Sequence, residues 1–88
     1  MREGKNPNEL RGSYRERLLF LADTANQAYE GCTNRTPEVE DGFDAVAAMF
    51  QVISHDITAG ELGSIEEYLA KYEARVQDLI NKIKASNQ

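Results

Sequence analysis

The sequence predicts an all-α protein, an antiparallel three-helix bundle, and three observations predict it. Large apolar residues recur at spacings of three and four in three separate stretches; this is the period of helices, whereas strands need a period of two. Each stretch is preceded by a residue able to cap a helix: Ser13, Thr36 or Ser64. Two polar connections, residues 31–36 and 59–64, separate the stretches, and connections this short join antiparallel neighbours. The main variant is a hairpin of the second and third helices that completes a bundle by pairing with its copy.

Residues 1–12 are polar and contain two glycines. They are expected to form a loose or partly helical segment ahead of a helical domain over 13–88. Residues 1–5 should be loose. Asn6-Pro7-Asn8-Glu9 can open a turn, with Asn6 as cap and Pro7 at the first helical position, but Gly12 weakens any continuation. Ser13 and Glu16 then make a capping box, so the first main helix is expected over about 14–30. Its inner stripe is Tyr14, Leu18, Leu21, Ala22, Ala25, Ala28 and Tyr29, and Gly31 should end it. Arg15 and Arg17 oppose the helix dipole if the helix starts at Tyr14, but not if it starts near Pro7.

The second helix is expected over 37–58. Val39, Phe43, Val46, Phe50, Ile53 and Ile57 fall on one stripe. Thr36 caps it, Pro37 suits its first position and Gly60 suits its end. Ala45, Ala48, Met49 and Val52 form a second ridge beside the stripe, which widens the apolar arc to about 220° at 100° per residue. A helix so apolar needs cover on two sides. It is read either as the middle helix of the bundle or as a helix whose ridge is left over to dock a second copy.

The third helix is expected over 65–85, opened by the Ser64-x-x-Glu67 capping box. Ile65, Tyr68, Leu69, Tyr72, Val76, Leu79, Ile80 and Ile83 make its stripe, an arc of about 120°. Glu67 with Lys71, and Asp78 with Lys82, stand four apart in the favourable orientation. The four tyrosines, Tyr14, Tyr29, Tyr68 and Tyr72, all project onto inner stripes. They should pack their rings and send their hydroxyls to the rim; a ligand pocket between helices is the functional alternative.

Composition narrows the function. The chain of 88 residues makes one domain, 41% hydrophobic and 28% charged, with a net charge of −5. The charge is uneven: +2 over residues 1–17, −9 over 18–70 and +2 over 71–88. An acidic middle argues against direct binding of nucleic acid, which needs clustered Lys and Arg. No run approaches the length of a membrane span, and the N-terminus lacks the apolar core of a signal peptide. With one cysteine, Cys32, a cytoplasmic location is expected.

No catalytic, cofactor or metal pattern stands out. His55 falls on the polar face of the second helix, without a second His or Cys at ligand spacing. Cys32 lies in a connection without a base beside it. No Gly-rich phosphate loop and no EF-hand spacing occur. The sequence therefore reads as a non-enzymatic protein–protein interaction module that associates with itself and binds no cofactor or metal. The candidate interface is Phe20, Ala45, Ala48, Met49 and Val52. Phe20 is included because it sits among Glu16, Asp23, Thr24 and Gln27, opposite Leu18; otherwise the helix is rotated or the N-terminal segment covers it. The alternative is a small acidic inhibitor of the mobile-element type. It would use Glu38, Glu40, Asp41 and Asp44 to occlude a basic nucleic-acid-binding site on a partner protein.

Overall fold

The computed structural model of the chain describes residues 7–87. Three helices, α1 (Pro7–Glu30), α2 (Pro37–Ala59) and α3 (Ile65–Ser86), pack as an all-α bundle, each against the other two. The core holds Tyr14, Leu18 and Ala25 from α1, and Val39, Val46, Ile53 and Ile57 from α2. From α3 it holds Ile65, Leu69, Tyr72, Val76, Leu79 and Ile83. Cys32, in the first connection, completes it. Among the described residues no helix is long and apolar enough to cross a membrane.

The first helix starts earlier than expected. It runs unbroken from Pro7, so Ser13 and Glu16 lie inside it and do not cap it. Gly12 costs about 1 kcal/mol in a helix interior. Leu10 and Tyr14, which pack on the core on either side of it, offset that cost. The early start also moves Arg15 and Arg17 away from the positive end of the dipole. The expectations for residues 1–5 and for the Asn6 cap fall outside the described residues.

α2 matches its expected span to within a residue. The Thr36 hydroxyl accepts from the Val39 amide at 3.3 Å. At the other end Gly60 is left-handed at φ 80°. There the Gly60 amide donates to the Ile57 carbonyl at 3.1 Å and the Glu61 amide to that of Asp56 at 2.9 Å, which satisfies the last carbonyls of the helix. α3 departs from expectation at its start. The Ser64 side chain makes no capping bond; instead the Ile65 amide donates to the Leu62 carbonyl at 3.3 Å in a tight turn.

α2 is touched by both neighbours, as expected of it, but in this bundle so are α1 and α3. The core takes six residues from α3 and four from α2. Gly42 of α2 packs against Leu79 of α3, where an added Cβ would stand 3.2 Å from Leu79 Cδ1.

The connection between α1 and α2 is tied to the far end of α3. The Thr33 amide and hydroxyl both donate to Asn87 Oδ1 at 3.2 Å. The Asn34 amide group donates to the Ser86 carbonyl at 3.4 Å. Cys32 Sγ lies 3.6 Å from Ser86 Oγ and donates to the Asn34 carbonyl at 3.4 Å.

Candidate interaction surface

A groove runs along the seam between α2 and α3. One end of it, about 300 Å³, is lined by Ala48, Met49, Val52 and Ile53 of α2 and by Tyr68 and Lys71 of α3. It continues past Met49 to Ala74 and Arg75, and then to Gly42, Ala45 and Lys82. The ridge is thus only partly covered: Val52 is 56% exposed, Ala48 is exposed, and Ala45 and Met49 are half-buried. Helical phase is the cause. α3 covers the side of α2 marked by Gly42 and Met49, and Ala48 and Val52 lie further round toward solvent.

Phe20 is not part of this groove. It is 70% exposed on α1, and α1 contributes no residue to the seam. Leu18 is buried while Phe20 is exposed, so α1 has the rotation its sequence implies. Leu19, which sequence reasoning passed over, is 52% exposed beside it. The candidate interface is therefore two surfaces: four residues on the α2–α3 seam, and Phe20 on α1.

The acidic candidates also separate. Glu40 is half-buried and accepts a hydrogen bond from the Tyr29 hydroxyl at 2.7 Å. Glu38, Asp41 and Asp44 are exposed. Ion pairs among the described residues join Arg17 to Glu66, Lys71 to Glu67 and Lys82 to Asp78, so Glu38, Asp41, Asp44 and Arg75 make none. Among those residues no group of three or more His, Cys, Asp or Glu is placed to hold a metal ion. His55 is exposed, and Cys32 is buried with Ser86 and Asn87 beside it.

No protein family, characterised protein or solved structure matches this chain.

A second concavity, of about 240 Å³, lies between α1 and α2. The sequence offers a pocket between helices as an alternative role for the tyrosines, without placing it; Tyr72 is the tyrosine that lines this one. Phe43 and Phe50 were placed on the inner stripe of α2, but both are half-buried and form its walls. Ala22 on α1 and Ala47 on α2 leave the gap between the helices. Phe43 stacks on Tyr29 with ring centres 4.0 Å apart, and the Arg35 guanidinium lies 4.3 Å from the centre of the same tyrosine ring.

Tyr72 lines this cleft and corrects the expectation that every tyrosine hydroxyl reaches the rim. Its hydroxyl is buried and has no hydrogen-bond partner. An unsatisfied buried hydroxyl costs about 1–3 kcal/mol.

Three phenols resist ionisation. Burial raises the Tyr14 and Tyr72 hydroxyls above the ordinary value of 10.0. The hydrogen bond to Glu40 raises that of Tyr29. A group whose folded value is raised contributes stability that is fully present below the unfolded value and is lost as pH climbs through the folded one. The urea midpoint should therefore hold steady up to about pH 10 and fall above it. A midpoint that rises above that pH would contradict the assignment.

Proposed function

We propose that the protein is a non-enzymatic interaction module whose partner is a second copy of itself, docked through the α2–α3 groove. The observation that carries this reading is the exposed apolar part of the groove, Ala48 and Val52, with one unpaired charge of opposite sign on each side further along it. Asp41 of α2 and Arg75 of α3 make no ion pair, whereas Lys71 and Lys82 of α3 are already paired with Glu67 and Asp78. A two-fold axis parallel to the helices sets Asp41 of each copy toward Arg75 of the other, with both copies using the same surface. An interface of about 800 Å² per partner is roughly a seventh of the 5686 Å² surface of one chain. The small residues Ala45 and Ala48 let the copies approach closely. Such a dimer belongs in a reducing cytoplasm, where Cys32 stays a thiol.

The test is Val52→Glu. The position is exposed, so the monomer should fold with its helix content unchanged in circular dichroism. Burying the new carboxylate opposes docking. Light scattering should show the mass falling from twice 9.9 kDa to the single-chain value. A wild-type protein that is monomeric at high concentration, or a variant of unchanged mass, would overturn the reading.

The inhibitor reading draws support from the unpaired state of Glu38, Asp41 and Asp44. Glu40, already engaged by Tyr29, drops out of it. Under that reading, Asp41→Lys with Asp44→Lys should abolish capture of a basic nucleic-acid-binding partner. Capture that survives both the reversal and added salt would count against it.

A further inference from the structure

The cleft between α1 and α2 shares no lining residue with the α2–α3 groove, so occupancy of one and docking at the other can fail separately. Tyr72 is the one lining residue that comes from α3. Its side chain therefore reaches the cleft from the α3 side of the core. Its hydroxyl is wholly buried and bare. Buried polar groups are nearly always satisfied, and phenylalanine would fill the same space without the penalty. The remaining walls are Phe43 and Phe50, and the mouth has the neutral amides Asn26 and Gln51. No charged side chain lines the cleft.

We propose that this cleft binds a small uncharged aromatic molecule with one polar group, of the phenol or indole class, and that the Tyr72 hydroxyl bonds to that group. The volume suits it: an apolar cavity of about 150 Å³ holds benzene, and this one is about 240 Å³. Absence of charge in the lining selects against ions. The hydroxyl is shielded while the cleft is empty, so one wall must turn aside on binding. Phe43 is held against Tyr29. Phe50 has no stacked ring among the described residues and is half-buried, so it is the wall that moves.

The experiment is an NMR titration of the 15N-labelled full chain with indole and with p-cresol, with benzoate as the charged control. The expected result is saturable shifts around Ala22, Ala47 and Phe50 for both neutral probes and none for benzoate. Tyr72→Phe should weaken binding about fivefold or more, the loss of one hydrogen bond, while its unfolding midpoint without ligand is unchanged or higher. Ala47→Leu, made at an exposed position, should fill the cleft and abolish binding in a folded chain. The proposal is overturned if neither neutral probe saturates, if benzoate binds as well, or if Tyr72→Phe binds with wild-type affinity. It is also overturned if Tyr72→Phe is less stable in the absence of ligand, the result expected of a hydroxyl satisfied by an ordered water alone.

Discussion

Replacing Leu79 by alanine should cost about 2–5 kcal/mol, the range for truncating a fully buried leucine. Leu79 has no exposed surface. A chain of 88 residues has a total stability of about 4–13 kcal/mol, so this one change removes a large share of it. Gly42 faces Leu79 across the packing of α2 on α3 and decides how far the cavity can be refilled. Two effects compete in Gly42→Ala. The helix gains about 1 kcal/mol from the better helix former. The new methyl, 3.2 Å from Leu79 Cδ1, must displace a packed side chain, and overpacking costs about 1–3 kcal/mol. In the wild type the second effect should cancel or exceed the first. In the Leu79→Ala background the obstruction is gone and the propensity gain remains. The double variant should therefore be more stable than the sum of the single changes, by about 1 kcal/mol. Urea denaturation of the four proteins measures this. Additivity within about 0.5 kcal/mol would show that the two side chains do not compete for the same space.

Gly60→Val should cost about 2 kcal/mol or more. Gly60 has φ 80°, and a side chain in that region costs about 1–2 kcal/mol, with a β-branched one at the high end. Nor is there free space, because a Cβ would stand 2.9 Å from an Arg11 guanidinium nitrogen. The arginine is long and can swing away, so backbone strain is the larger part of the cost. For a domain this size, about 2 kcal/mol lowers Tm by roughly 10 °C. Gly60→Asn should lose less, because asparagine tolerates the left-handed region. Equal losses for the two variants would mean that the Arg11 contact, not the backbone, sets the cost.

Much of the fold was legible from spacing. The three-and-four repeat located all three helices, and Thr36-Pro37 and Gly60 bounded α2. Leu18 and Phe20 fell on opposite faces of α1, as the helical wheel implied. What a wheel cannot supply is the distance between helices. It put Phe43, Phe50 and Tyr72 on inner stripes, and all three do face inward. Whether they meet a neighbour or a gap depends on Ala22 and Ala47, which stand opposite each other only once two helices are packed. The same limit applied to Ala48 and Val52, whose exposure depends on where α3 lies. Local motifs misled in two places. Ser13-x-x-Glu16 and Ser64-x-x-Glu67 both match a capping box. The first is overridden because Pro7 starts the helix earlier, and the second because Ser64, at φ −110° and ψ 9°, lacks the extended backbone that aims a capping hydroxyl at the third amide of the helix.

The tie between Thr33, Asn34 and the end of α3 has a consequence for synthesis. The groups that lock the first corner, Ser86 and Asn87, are made 52 to 54 residues after the ones they hold. Until α3 has emerged from the ribosome, the pair formed by the first two helices has no latch at that corner. The final assembly step therefore waits until α3 clears the exit tunnel, and the nascent hairpin must stay out of trouble without it.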